Sequence, residues 1–162
     1  MAKIHGVKIV AVGRNEEKLS RARALGVSDI VDVKKVANPV KSILARTPSG
    51  RGADFVVEAV GRPEAWEQAF TLARKGVTVC LFAGCKRGSR FSLDTHRIHY
   101  EQIQLSGVFH HTPHYFFEAL NLIATGRIKI FPLIESEKNL SEITQVFHKG
   151  VRYTPLKVAI VP

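Results

Sequence analysis

Short apolar runs alternate with amphipathic stretches along these 162 residues, and this alternation constrains the fold more than any other feature. Each run is rich in β-branched residues and is bounded by glycine or polar turn residues, which is typical of a strand. The runs that predict strands are residues 7–12, 30–33, 53–60, 77–82, 103–109 and 156–161. Strands separated by helices predict βαβ units and a mostly parallel sheet in one α/β domain. Because the runs are almost continuously apolar, we expect both faces of the sheet to be covered.

Polar capping residues mark the starts of the intervening helices. Asparagine, aspartate and threonine side chains accept backbone N–H groups at a helix start, and proline favours the first helical position. These signals predict helices that begin near Asn15, Asn38, Pro63, Asp94, Thr112 and Asn139, the last with Glu142 in a capping box. Glycines 26, 76 and 126 end three of these helices.

Composition places the chain among ordinary folded domains, with 45% hydrophobic and 23% charged residues. No apolar run reaches the roughly 18 residues that a spanning helix needs, so we expect no membrane association. The N-terminus lacks the pattern of a secretory signal, which predicts a cytoplasmic protein. Cys80 and Cys85 are too few for a disulfide framework and do not have zinc-site spacing. Cys80 lies within an apolar run, which predicts a buried thiol.

The chain is strongly basic, with a net charge of +10 and a pI of about 10.0. Such a surface attracts polyanions, and nucleic-acid binding is therefore one hypothesis, with strongly salt-dependent affinity as its signature. The sequence has no long lysine or arginine run and no aromatic cluster spaced for base stacking. We therefore expect mostly solvated helix surfaces and no specific nucleic-acid binding.

The carboxyl ends of the strands are the candidate ligand site, because doubly wound sheets bind ligands there. An acidic residue at the end of the second strand of a dinucleotide-binding fold bonds the ribose 2′-hydroxyl and selects NAD. Here that position is Gly13, which leaves room for a 2′-phosphate, and Arg14 follows it to pair with the phosphate. Lys18, one helical turn later, adds charge. The residues favour NADP over NAD as cofactor, although a plain turn with a surface arginine would also fit them.

Several segments resemble, in order and spacing, the cofactor domain of the zinc-containing alcohol dehydrogenase superfamily, the medium-chain dehydrogenases. They are AKIHGVKIVAVGRNEEKLSRARALGVSDIVD, GRGADFVVEAVGRPEAWEQAF, KGVTVCLFAG and LKVAIVP. A further segment, LDTHRIHYEQIQLSGVFHHTP, is most similar to the sorbitol, threonine and polyol dehydrogenase branch. The resemblance covers essentially the whole chain and implies a Rossmann-type, doubly wound, mostly parallel sheet.

The resemblance also implies which residues meet a dinucleotide. Residues 13–15 would meet the adenosine ribose, residues 59–61 the adenine and ribose, residues 82–84 the nicotinamide, and residues 109–110 its far side. The expected cofactor-binding residues are thus Gly13, Arg14, Asn15, Lys18, Ala59, Val60, Gly61, Phe82, Ala83, Gly84, Phe109 and His110. The family further implies a homo-oligomer that forms through the edge strand near residues 103–109.

Two departures from the family shape the functional hypothesis. The G-x-G-x-x-G turn and the first strand are absent, so residues 2–6 resemble the end of the helix that follows that turn. The family's catalytic zinc ligands lie in a preceding domain, and no catalytic or metal-binding residue is assigned here. Three imidazoles among the histidines at 96, 99, 110, 111 and 114 could hold a metal, but Pro113 starts a helix, so His110 and His114 do not share a helical face. This segment is therefore interpreted as a polar loop at the mouth of the cofactor cleft, and Asp54 and Glu58 as structural.

The sequence therefore predicts a truncated dinucleotide-binding domain over residues 1–162, with the family's C-terminal helix and strand at about 139–162 and without its zinc domain. The parent activity would be hydride transfer between a secondary alcohol and NAD(P), and we expect this chain to be inactive alone. The alternative is a non-catalytic assembly module with residual nucleotide affinity.

Overall fold

A computed structural model describes residues 2–150 and 156–162 of the protein. Its residues form two compact units, one made of Met1–Asp32 with Thr112–Pro162 (unit 1) and one of Val33–His111 (unit 2). The strands are β1 (Val10–Gly13), β2 (Asp29–Asp32), β3 (Val56–Glu58), β4 (Thr78–Leu81), β5 (Gln104–Gly107), β6 (Ile134–Asn139) and β7 (Lys157–Val161). The helices are α1 (Glu16–Ala24), α2 (Pro39–Leu44), α3 (Pro63–Leu72), α4 (Thr95–Tyr100), α5 (Pro113–Ala124) and α6 (Ile143–Gly150).

Unit 1 contains two small parallel sheets. The first pairs β1 with β2, and α1 connects these strands along the chain. Leu19 of α1 and Val31 of β2 are buried. The second sheet pairs β6 with β7. The α/β class and the parallel pairing expected from the sequence are thus confirmed for this unit.

Unit 2 is built on one parallel sheet with strand order β3-β4-β5. Val79 at its centre is opposite Val56 on one side and Leu105 on the other. The buried residues Ala69, Phe70 and Ala73, from α3 and the residue that follows it, form one core cluster with Val77, Val79, Leu81 and Ile103. This packing covers the face of the sheet that carries Val79 and Leu81.

A single arginine joins α4 to the carboxyl end of α3. The Arg97 guanidinium donates hydrogen bonds to the carbonyl oxygens of Phe70 at 3.2 Å and Ala73 at 2.8 Å. The same group lies 5.1 Å from the centroid of the Phe70 ring and donates to Glu101 Oε2 at 2.8 Å. The last carbonyl groups of a helix have no hydrogen-bond partner within the helix. Arg97 supplies donors for carbonyl groups at the carboxyl end of α3.

The opposite face of this sheet remains exposed, which differs from the expectation that both faces are covered. Val57 and Val108 are 56% and 44% exposed, respectively. Cys80 lies opposite Val57 and is partly exposed, so the predicted burial of its thiol was wrong. Side chains alternate along a strand, and in β4 the buried positions are Val79 and Leu81, between which Cys80 lies.

The predicted helix starts are confirmed. The side chain of Asn15 accepts the Lys18 N–H at 2.9 Å, and that of Asn38 accepts the Lys41 N–H at 2.9 Å. Asp94 and Thr112 accept backbone N–H groups in the same way. At the last start, Glu142 accepts the Asn139 N–H at 3.1 Å, and the chain passes through a 3-10 turn, Leu140–Glu142, before α6.

Five of the six predicted strands are shorter than their apolar runs, and one further strand was not predicted. β6 reads IESEKN, which is too polar to stand out as a strand, yet it pairs in parallel with β7. The Glu135 side chain in β6 accepts the Leu156 N–H at 3.1 Å. Residues 151–155 of the predicted C-terminal segment lie outside the described residues.

In the described part of the chain, no helix is long and apolar enough to cross a membrane.

Candidate functional site

The first four predicted cofactor residues lie in unit 1, where β1 passes into α1. Gly13 is the last residue of β1, and Asn15 is the N-cap of α1. Arg14 is exposed between them. No carboxylate in residues 2–150 or 156–162 lies within ion-pair distance of the Arg14 guanidinium, so its charge is available to an anion. Lys18 is half-buried one turn into the helix.

Gly13 also has a packing role that the sequence did not indicate. A Cβ atom at this position would lie 3.2 Å from Cδ2 of Leu19, which is buried. Glycine therefore lets α1 approach the end of β1 closely. Helix packing thus accounts for the absence of a side chain at this strand end.

The other eight predicted residues lie in unit 2, at the carboxyl ends of β3, β4 and β5. Two of the segments, residues 59–61 and 82–84, are in direct contact. A Cβ atom on Gly61, whose φ is +74°, would lie 2.5 Å from the Gly84 carbonyl oxygen. Trp66 of α3 donates its indole N–H to the Ala83 carbonyl at 3.2 Å. The structure thus brings these two predicted segments together.

A cavity of about 360 Å³ opens beside the second of these segments. Phe82, Val108, Phe109, His110 and His111 line it. The rings of Phe109 and His110 lie with centroids 3.8 Å apart, and His110 has a φ of +63°. Phe82 and Phe109 are 64% and 88% exposed, so this is an open aromatic surface. Such a surface can pack against a planar ring of a ligand.

Three contributors to this region were not predicted from the sequence. Val108 and His111 line the cavity, and the sequence pointed only to their neighbours Phe109 and His110. Trp66 of α3 is the third contributor, because its indole N–H donates to the Ala83 carbonyl oxygen at a strand end. No sequence signal indicated this contact, because Trp66 and Ala83 are 17 residues apart in the chain.

Neither the cysteines nor the histidines form a metal centre in the described part of the chain. Among residues 2–150 and 156–162, no group of three histidine, cysteine, aspartate or glutamate side chains is arranged to hold a metal ion. The pKa of Cys85 is raised by desolvation and by the negative charges of Glu58 and Glu64. A raised pKa keeps a thiol protonated, which disfavours both metal binding and nucleophilic attack.

This chain is similar in sequence to known dehydrogenases. The sequence profile of the family described as zinc-binding dehydrogenase matches residues 1–125. An L-threonine 3-dehydrogenase of Bacillus licheniformis is 28% identical over 100% of this chain and 46% of its own length. A sorbitol dehydrogenase of Halalkalibacterium halodurans is 26% identical over 100% of this chain and 47% of its own length.

A solved structure gives the same result for the fold. A zinc-binding dehydrogenase of Sinorhizobium meliloti, crystallised with NADP, superimposes with a TM-score of 0.87 at 25% identity over 96% of this chain and 45% of that chain. The predicted Rossmann-type fold and the resemblance to threonine, sorbitol and alcohol dehydrogenases are confirmed. The chain spans about half the length of these relatives. Since the profile match runs through both units, this chain belongs to the zinc-binding dehydrogenase family.

Proposed function

We propose that this chain is the dinucleotide-binding part of an alcohol or polyol dehydrogenase that prefers NADP, with NAD as the alternative. In the parent reaction, a hydride passes from the carbinol carbon of a secondary alcohol to the nicotinamide ring, and the hydroxyl proton is released. The products are a ketone and the reduced cofactor. The observation that carries the proposal is Arg14, an exposed guanidinium without a described carboxylate partner, directly after a strand that ends in glycine.

The residues of unit 1 would bind the adenosine end. The Arg14 guanidinium can pair with two oxygens of a 2′-phosphate, and such charge-assisted pairs are stronger than neutral hydrogen bonds. Asn15 would approach the ribose, and the Lys18 ammonium would add positive charge. The N-terminus of α1 contributes its helix dipole on the same side.

The residues of unit 2 would bind the ring systems. Segment 59–61 would lie against the adenine and ribose, and segment 82–84 would pass the nicotinamide. Phe109 and His110 would close its far side, where the aromatic cavity supplies apolar surface. These side chains position and shield the cofactor, and proton transfer is assigned to none of them.

Turnover is proposed to require the longer parent protein. Among residues 2–150 and 156–162, no three histidine, cysteine, aspartate or glutamate side chains are arranged to hold zinc. The 162 residues also contain no G-x-G-x-x-G turn, whose backbone N–H groups hold the pyrophosphate in such folds. We therefore expect weak nucleotide binding and no dehydrogenase activity from this chain alone.

A non-catalytic assembly role is the second candidate, favoured by the exposed sheet face of unit 2 and by the position of β5. This strand forms one edge of the three-stranded sheet in the described residues. An uncovered edge strand can pair with another copy, so we propose β5 as the site of homodimer formation. The Gln104 N–H donates to the Val77 carbonyl, so the N–H of Gly107, three residues later, faces the open edge of β5. Sedimentation should show a dimer that Gly107→Pro dissociates, because proline removes this edge N–H. A monomeric wild-type protein would reject the dimer.

Titration with NADPH and NADH tests the cofactor proposal. NADPH should bind more tightly than NADH, and Arg14→Ala should weaken NADPH about 10- to 100-fold while leaving NADH nearly unchanged. Arg23→Ala, an exposed arginine at the other end of α1, is the matched control for net charge. Ligand fluorescence and thermal stability report the binding.

The result that contradicts the proposal is equally specific. If Arg14→Ala and Arg23→Ala weaken NADPH alike, the effect is general electrostatics and the NADP assignment fails. If neither nucleotide binds, the assembly role is favoured instead. Tight binding of duplex DNA that falls steeply with salt would support the nucleic-acid hypothesis from the net charge.

A further inference from the structure

Glu58, the last residue of β3, is the one charged side chain that is buried in the described part of the chain, at 4% exposure. A buried carboxylate is costly unless hydrogen bonds satisfy it. Its Oε1 accepts the Val60 N–H at 2.6 Å and the Gly61 N–H at 3.1 Å, and Oε2 lies 3.3 Å from the Gly61 nitrogen. The side chain therefore fixes the backbone just beyond its own strand.

The backbone of the same residue holds the neighbouring strand end. The Glu58 carbonyl oxygen accepts the Phe82 N–H at 2.9 Å and the Ala83 N–H at 3.1 Å. One residue thus binds segment 59–61 with its carboxylate and segment 82–84 with its carbonyl. The close approach of Gly61 to the Gly84 oxygen completes the contact between the two segments.

These two segments present apolar side chains to solvent while their backbones are held. Val60 and Phe82 are each 64% exposed. An exposed apolar side chain on an irregular loop offers a defined surface only if its backbone is fixed. Here Glu58 accepts hydrogen bonds from the backbone N–H groups of both segments, which would otherwise have no partner. Preorganising such a surface lowers the entropy cost of binding a planar ligand.

We propose that Glu58 is a positioning residue that locks the two strand-end segments into one preformed surface for the dinucleotide. The inference rests on the proposed function and adds a residue to it. Glu58 itself does not meet the ligand. It acts through Val60 and Gly61, whose conformation depends on the carboxylate, and through Phe82 and Ala83, whose N–H groups bind its carbonyl oxygen.

Three variants of the full chain test the proposal. Glu58→Ala removes the acceptor, and Glu58→Gln keeps the shape with a neutral, weaker acceptor. Glu64→Gln is the control, because it removes an exposed carboxylate from α3 in the same unit. NMR hydrogen exchange at Val60, Gly61 and the core amide of Val79, together with NADPH titration, supplies two independent measurements.

In Glu58→Ala, exchange at Val60 and Gly61 should become about 10- to 100-fold faster, while Val79 changes little. NADPH affinity should fall about tenfold or more. Glu58→Gln should show smaller losses, about 3- to 10-fold, at the same amides and in NADPH affinity, and the Val60 amide proton should shift upfield as its short charge-assisted bond weakens. Because Glu58→Gln preserves volume and an acceptor, it carries the test if Glu58→Ala does not fold.

The opposite results separate this inference from the function on which it rests. If wild-type protein binds NADPH and Glu58→Gln binds it equally well despite faster exchange at Val60, the positioning role is wrong and the proposed function stands. If Val79 loosens as much as Val60, Glu58 serves general stability, and the positioning role is again wrong. If wild-type protein binds neither nucleotide, the proposed function fails and the positioning role fails with it.

Discussion

The two units of this chain differ in how much apolar surface they bury. In the described part of unit 2, eight hydrophobic side chains are buried: Ile43, Ala69, Phe70, Ala73, Val77, Val79, Leu81 and Ile103. In the described part of unit 1, three are buried: Leu19, Val31 and Leu122. Burial of apolar area is the main favourable term in folding, so unit 2 has the larger part of the driving force.

The difference in burial follows from sheet architecture. Unit 2 packs α3 against three parallel strands, whereas each sheet of unit 1 has two strands. Two-stranded sheets are marginal without further packing. This chain therefore has one well-packed group of strands, in unit 2, and one with less support, in unit 1. The predicted ring-binding residues lie on the first, and Arg14 lies on the second.

Truncation of Phe70 should give the largest effect and test this contrast directly. Phe70 is 4% exposed in the core of unit 2, and Phe70→Ala should lower the free energy of unfolding by about 3–5 kcal/mol. Trp66, the single tryptophan, reports unfolding of unit 2 by fluorescence in urea. Leu19→Ala is the matched truncation in unit 1 and should move the Trp66 transition by less than about 1 kcal/mol. Equal shifts would show that the chain unfolds as one block.

A pair of glycines tests how tightly the strand ends of unit 2 are packed. Gly61 and Gly76 have φ values of +74° and +72°, so alanine is strained at both. Only at Gly61 would the new Cβ meet backbone, 2.5 Å from the Gly84 oxygen. Gly61→Ala should cost about 2–4 kcal/mol and Gly76→Ala about 1 kcal/mol, as measured by urea unfolding. Similar costs would mean that the two loops separate easily.

Arg97 should contribute less than the core, although it joins two helices of unit 2. Arg97→Lys keeps the charge and loses the planar group that reaches both the Phe70 and Ala73 carbonyls. We expect a loss of about 1–2 kcal/mol in urea unfolding. Arg87→Lys, on the exposed loop after β4, is the control and should be neutral. A neutral Arg97→Lys would show that water satisfies the end of α3 equally well.

Local features of this fold were predictable from the sequence, and its non-local features were not. Asn15 and Asn38 cap helices because the partner N–H is three residues away in the chain. The strand β6 was missed because its polar sequence pairs with β7, which is remote in sequence. The exposed face beside Cys80 was missed because an apolar run does not show what covers it.

In the candidate site, too, some features were predictable from the sequence and others were not. Its segments were predicted because parallel strands bring their carboxyl ends to one edge of a sheet. From the sequence, Glu58 was assigned only a structural role. The burial of its side chain and the hydrogen bond from the Phe82 N–H to its carbonyl oxygen both depend on the neighbouring strand. Glycine at position 13 was assigned to cofactor choice, and its contact with Leu19 emerged only from the packing of α1.

The smallest expected effect concerns charge at the surface of unit 2. The hydrogen bond from Arg74 has the largest effect on the pKa of Asp54 and lowers it. Desolvation opposes this effect, and the positive charges of Arg51 and Arg74 lower the pKa further. A lowered folded pKa means that the carboxylate stabilises the fold above the unfolded pKa of about 3.9, and that this contribution is lost as the pH falls through the folded value. Because Asp54 is 62% exposed, solvent screens the pair strongly.

Asp54→Asn should therefore lower the urea midpoint slightly at pH 7, and the difference from wild type should vanish as the pH falls through the lowered folded pKa of Asp54. Glu64→Gln, which removes another exposed carboxylate from unit 2, is the control at each pH. If Asp54→Asn instead cost as much as Phe70→Ala, surface charge would rival apolar burial in unit 2. The difference in stability between the two units would then depend on ion pairs such as Arg74–Asp54, and added salt would reduce that difference. If the effect is small at every pH, apolar packing alone accounts for the firmer support of the strand ends in unit 2.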